Sequence, residues 1–373
     1  MEYGIAYSGS MDLTWPLPPD PPRIQYVGQI ESQYSIGFKH TFWERFKSTV
    51  LGIEPSEIVN VYRPFDSYVN DYGQIYLTDA SRPLITVFNP GEKTAQTMTP
   101  RGDGTLAKPM GITGDANGYI YVADPIQRRV VKYDRQGEFI QAFGGRNVLL
   151  NPVDVAVSPI SGDIYVVDSY LHQVLIFDSS GRLTHRIGKD QGNLAEKNDR
   201  QRQNAGLDNA HRNNESSDLV ENRSKNQGAF HYPAFIATAP DGTLYVSDGM
   251  NFRVQAFDPR GEYLFQFGFA GDTPGSFARP KDIAVDAEGH VYVVDAAFNN
   301  IQIFNNKGEL LLAFASLGGG PGDLYLPIGI SIDYQNRIYV ADRYNNRIQI
   351  YQYMPLMEEA SPPSLTPASH INN

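Results

Sequence analysis

Cysteine is absent from all 373 residues, which removes disulfides, thiolate metal sites and cysteine nucleophiles together. Tryptophan is nearly so, with only Trp15 and Trp43. No apolar run approaches the roughly 18 residues that a membrane-spanning helix needs. Positive charge is in deficit: 31 Lys and Arg stand against 42 Asp and Glu, a formal charge of −11. That balance lacks the basic patch that a phosphate backbone requires, and it argues against a nucleic-acid partner. The start, MEYGIAYSGS, has no basic segment followed by an apolar core, so no export signal is visible there.

What the chain has is repetition. Leu326 to Tyr353 reads LPIGISIDYQNRIYVADRYNNRIQIYQY, a proline, three alternating apolar runs and two polar turns, which describes three short strands. Such a unit cannot bury both faces alone and needs neighbours. The opening proline recurs at Pro64, Pro109, Pro152, Pro233, Pro280 and Pro327, and the aspartate ending the second strand at Asp79, Asp124, Asp168, Asp248, Asp295 and Asp342. Successive spacings are 43 to 47 residues except one of 81 between prolines and 80 between aspartates, where residues 189–227 are inserted. The spacing predicts six units and one insertion.

The first five units each continue through a Gly-bearing turn into a fourth alternating piece, such as Tyr263 to Phe267. The sixth runs instead into MPLMEEASPPSLTPASHINN, too rich in Pro and Ser for a strand. An unassigned alternating run, Arg23 to Glu31, can supply the missing strand and close the ring without an open edge. The predicted fold is an all-β, six-bladed β-propeller of four-stranded antiparallel blades over residues 23–353. Residues 1–22 are expected to be irregular and Pro-rich, 40–52 to form one short amphipathic helix, and 354–373 to be a flexible tail. The insertion 189–227 holds seven basic and seven acidic side chains and little to bury, so it reads as a solvated or partner-binding loop carrying the sequons at Asn214 and Asn222.

The consensus Pro-x-Gly/Asp-Ile-Ala-Val, Gly-x-Ile-Tyr-Val-x-Asp, Asn-Arg-Ile-Gln-Ile-Phe resembles the NHL repeat family, over Arg63 to Tyr353 apart from the insertion. Both tryptophans lie outside the units, which separates the chain from Trp-Asp repeats, and double glycines do not recur as in kelch repeats.

Most repeated residues read as scaffold. The tyrosines Tyr76, Tyr121, Tyr165, Tyr245, Tyr292 and Tyr339 suit filling between blades, and the aspartates ending the second strands suit turn clamps, with ion pairs expected for Asp124 with Arg129, Asp248 with Arg253 and Asp342 with Arg347. Two residues after the opening proline stand Asp66, Gly111, Asp154, Phe235, Asp282 and Gly329. Asp66, Asp154 and Asp282 alternate around the ring, so they either cap local amides or form a carboxylate ring in the central channel able to hold Ca2+ or another hard cation. No organic cofactor is called for. A metal-dependent lyase or lactonase would have to use Asp66, Asp154, Asp282 and His231, since the seven histidines do not converge and no Gly-x-Ser-x-Gly elbow or phosphate loop occurs.

The stretch TWPLPPDPPRIQYVGQI is similar to the start of a group of bacterial cell-envelope propellers, often lipoproteins and often associated with multihaem cytochromes. The lipid-bearing cysteine of that group has no counterpart here. The resemblance implies an extracytoplasmic location, and the expected function is non-catalytic: a docking platform for other proteins.

Overall fold

A computed structural model of the protein describes residues 13–41, 57–188 and 227–355. Six antiparallel sheets are arranged as blades, four strands in each of the first five and five in the last. In blade 3 the strands are Pro152–Val157, Ile164–Asp168, Gln173–Phe177 and Leu183–Ile187, in that spatial order. Blades 1, 2, 4 and 5 repeat this plan, with inner strands Pro64–Val69, Ile112–Gly114, Pro233–Thr238 and Pro280–Val285. Blade 6 is built from Ile330–Ile332, Arg337–Asp342 and Arg347–Tyr353, and the N-terminal strand Ile24–Ile30 adds to its outer side. The register Ile24↔Tyr353 through Ile30↔Ile348 bears out the expected closure. One difference lies further out. Within the span read as irregular, Thr14–Trp15 pairs with Ile24 and Gln25 as a fifth strand. Trp15 packs its ring 5.9 Å from both Phe314 and Tyr351, so an apolar anchor holds what the proline content argued against.

The core lies between blades. All six second-strand tyrosines are buried, and each sits in a cluster shared with the following blade: Tyr121 with Val155 and Val157, Tyr339 with Val69 and Ile75 across the seam. A fully buried side chain of this size contributes about 1.5–3 kcal/mol, which makes the blade interfaces the main stabilising surfaces. No α-helix occurs among the described residues. Apart from His40 and Thr41 the span 40–52, the insertion apart from Gln227, and the tail beyond Pro355 lie outside them.

The turn-clamp expectation holds and extends further than the turn. Asp168 accepts backbone N–H groups from Tyr170 and Leu171 ahead of it, and from Leu150 and Asn151 in the loop leading into its own blade. Asp295 does the same with Ala297, Phe298, Ala278 and Arg279. Arg253 and Arg347 pair with Asp248 and Asp342 at 2.9 and 2.8 Å. Arg129 does not pair with Asp124; it donates to the carbonyl of Thr105, while Asp124 is filled by four backbone amides.

Candidate ligand pocket at the channel mouth

The inner strands begin at one end of the ring, and their first residues set the geometry there. In blades 1, 3, 4 and 5 the ladder slips just after the opening proline, which pairs with the aspartate of the second strand. Proline offers no N–H to the ladder, and the bulge that follows re-aims the next side chains. Asp66, Asp154 and Asp282 thereby turn inward and are buried. Each takes one N–H from the residue after it (Ser67, Val155, Ile283; 2.7–2.8 Å) and one from the inner strand of the next blade (Ile112, Ile236, Ile330; 2.7–2.9 Å). They staple blades 1 to 2, 3 to 4 and 5 to 6.

The glycines at this position on blades 2 and 6 have a steric cause. A Cβ on Gly111 would lie 2.0 Å from Oδ1 of Asp154, and one on Gly329 would lie 2.6 Å from Cα of Asp66. Glycine on blades 2 and 6 makes room for the aspartate of the blade that follows. Burial raises all three carboxyls: Asp66 is pushed up to about 7, and Asp154 and Asp282 well above the usual range, helped by the charges of the other members. The three carboxyls stand near enough to act on one another's charge, and each carboxylate oxygen already accepts a backbone N–H. No group of three or more His, Asp or Glu arranged to hold a metal occurs among the described residues. His231 does not join them. Its ring stacks on His172 at 5.7 Å, so two histidines that looked unrelated in sequence do meet. His172 accepts the Tyr232 N–H at Nδ1, and burial and then His231 hold its pKa down.

Above the aspartates lies a pocket of about 410 Å³. The residue directly after each opening proline lines it: Phe65, Met110, Val153, Ala234, Lys281 and Ile328. Phe235 stacks on Phe65 across the axis at 5.7 Å and forms its floor. Tyr232, Met250 and Tyr344 stand exposed at its rim. Five of the six equivalent positions are thus apolar and one is a lysine. Beside Lys281 stand Arg279 and Arg343, and among the described residues no carboxylate lines the pocket. Burial, then the two guanidinium charges, lower the Lys281 amine to about 8, with Asp295 opposing. Among the described residues none of the three makes an ion pair, and Nε of Arg343 is buried without a hydrogen-bond partner. Sequence reasoning passed over this site because it compared the second position after the proline. The first position carried the signal, a single cation where every other repeat has an apolar side chain.

Comparisons with known proteins agree with this architecture. A family model described as "NHL repeat" matches residues 324–351. The Drosophila melanogaster protein brain tumor is 35% identical over 91 residues, 23% of this chain and 9% of that protein. Peptidyl-glycine alpha-amidating monooxygenase B of Xenopus laevis is 26% identical over 206 residues, 52% of this chain and 20% of that protein. The chain therefore spans a fifth or less of these relatives. Among solved structures, a virginiamycin B lyase from Staphylococcus aureus aligns with TM-score 0.51 at 15% identity, covering 78% of this chain and 95% of that one. A gluconolactonase from Xanthomonas campestris aligns with TM-score 0.52 at 16% identity, covering 79% and 86%. At such identity the likeness is one of fold. The chain is a six-bladed β-propeller whose last blade matches the NHL repeat model.

Proposed function

We propose that this protein is a non-catalytic binding propeller, a docking platform whose working surface is the end where the inner strands begin. The observation that carries the reading is the one-sided pocket: an apolar bowl with three cations that form no ion pair among the described residues, surrounded by exposed Ile126, Tyr170, Met250, Tyr325 and Tyr344. Apolar surface rimmed by polar groups marks sites of association. The partner is another protein, and the setting is the cell envelope or the extracellular space, beside cytochrome-type proteins, as the N-terminal resemblance implies. The test is capture of a partner from its native extract by the purified protein. Met250→Asp with Tyr344→Asp should lose that partner, while Ile160→Asp with Tyr334→Asp at the opposite end should keep it. Equal loss in both variants overturns the choice of surface.

A second reading, a metal-dependent lyase or lactonase, is favoured by the stacked His172 and His231 beside the rim and by the enzymes among the structures of this fold. It predicts a stoichiometric metal in natively purified protein and turnover that His172→Ala abolishes. Either result would replace the platform.

A further inference from the structure

We propose that the cationic corner of the bowl, Lys281 with Arg279 and Arg343, seats a carboxylate of an acidic and hydrophobic peptide segment of the partner, whose neighbouring aromatic or aliphatic side chain fills the apolar remainder. The inference rests on the docking reading and adds the chemistry recognised.

Three observations converge on it. The first is an electrostatic imbalance. In a chain of net charge −11, three cations crowd one corner of an apolar pocket with no carboxylate among the described residues of its lining. Their mutual repulsion, and the partial burial of Lys281 and Arg343, are unfavourable in the free protein, and an anion arriving there relieves both. The second is the buried Nε of Arg343, a donor with no acceptor among the described residues. Buried donors are normally satisfied, and a carboxylate accepts in the plane that a guanidinium offers. The third is the remainder of the wall: Phe65, Phe235, Met110, Val153 and Ile328 present no charge and suit an apolar side chain next to the anion.

The surroundings favour a peptide over a free small acid. Exposed apolar side chains continue past the rim on four blades, at Ile126, Tyr170, Met250 and Tyr344, farther than a ligand filling about 410 Å³ could cover. A phosphate polymer fits poorly, because it needs a stripe of cations along its backbone, and here a single cluster is enclosed by apolar walls.

The test is fluorescence anisotropy with a fluorescein-labelled peptide alternating Phe and Glu, against the same peptide with Gln for Glu, using the full chain. We expect saturable binding of the Glu peptide, at least tenfold weaker binding of the Gln peptide, and weakening as salt rises from 50 to 300 mM. Lys281→Met should cost about tenfold and Lys281→Arg less than threefold, since a charged hydrogen bond is worth roughly that much. Arg343→Met supplies an independent variant should Lys281→Met unfold. Equal affinity for the Glu and Gln peptides, or no effect from Lys281→Met and Arg343→Met, overturns the proposal. So does phenylacetate or inorganic phosphate binding as tightly as the peptide, which would name a free acid or a phosphate as the occupant. If the Glu peptide fails while the native partner is still captured and lost with Met250→Asp and Tyr344→Asp, the anion seat falls and the docking surface stands.

Discussion

The two ends of the channel are both concave and both charged, yet their charges stand in opposite conditions. At the far end, a depression of about 640 Å³ is lined by the turns after the inner strands and carries Asp115, Asp286 and Asp333, with no Lys or Arg. Each of these carboxylates is consumed locally. Asp115 accepts from the amides of Asn117 and Tyr119 and from the Tyr121 hydroxyl, and Asp333 from Gln335, Arg337 and the Tyr339 hydroxyl. Asp286 binds His290 and Tyr292 in the same way. Those charges are part of the turn. At the near end the cations have no such partners among the described residues, so binding capacity is better judged by unfilled hydrogen-bonding and charge than by the number of ionised residues.

Both ends exist only while the ring is closed, so the most drastic way to break the comparison is at the seam. Removing residues 1–31 strips two strands from blade 6 and exposes Tyr351 and Tyr353. The expected result is loss of the cooperative unfolding transition in circular dichroism, with both ends lost together.

The wall between the ends can be broken next. Gly111→Ala forces a methyl group against the Asp154 side chain and backbone. Overpacking of this kind costs about 1–3 kcal/mol, and the backbone contact puts this case at the upper end. Urea unfolding checks it; a loss below about 0.5 kcal/mol would mean that blades 2 and 3 slide apart freely.

Asp333→Asn separates the two ends directly. Oδ2 of Asp333 binds the Arg337 guanidinium at 2.7 Å and the Tyr339 hydroxyl at 3.1 Å. An amide in its place loses the charge pairing, at a cost of about 2 kcal/mol in stability, while binding of the acidic peptide at the near end should change less than twofold. A comparable change in peptide affinity would erase the distinction between the ends.

The aspartate staple between the ends has its own signature in pH. Asp66 ordinarily titrates at 3.8 and is raised to about 7 in the fold by burial. As pH rises through 4 the unfolded chain releases this proton while the folded chain keeps it, so the contribution to stability declines until the folded group also ionises near 7. The His290–Asp286 pair acts in the same direction above its ordinary range and cancels in the difference between wild type and Asp66→Asn, which reports Asp66 together with the part of the Asp154 and Asp282 shifts that its charge causes. We expect the wild type to lose on the order of 2–3 kcal/mol more than the variant between pH 4.5 and 7.5. Parallel curves would show that Asp66 ionises normally.

The propeller, its six units and its closing strand were legible in the sequence because each rests on a period. Pro64 and Asp79 recur together, and one missing strand in blade 6 matched one spare run at Arg23 to Glu31. The anchoring of Thr14–Trp15 was not legible, since proline content masks a contact made by one tryptophan with Phe314 and Tyr351, about 300 residues away. Alternation of Asp66, Asp154 and Asp282 could be read from the sequence, but which N–H groups fill them depends on the bulge after each proline and on the strand of the next blade. The basic corner was hidden for another reason: Arg279 stands two residues from Lys281, but Arg343 belongs to the next blade, and only the ring brings it to them.

Lys281 gives the smallest effect and the sharpest contrast. Its amine lies at about 8 in the fold, below the ordinary 10.5. Between those values the unfolded chain holds a proton that the folded chain has released, so stability should rise as pH goes from 8 to 10, by on the order of 1–2 kcal/mol for this largely buried amine. Over the same rise the amine loses its charge and the acidic peptide should bind severalfold more weakly. Stability and affinity therefore move in opposite directions, and Lys281→Met should abolish both slopes. A structural lysine would change stability alone. If affinity holds constant from pH 7 to 9.5, or falls identically in Lys281→Met, the charge that attracts the ligand resides on Arg279 and Arg343 and the lysine only shapes the wall.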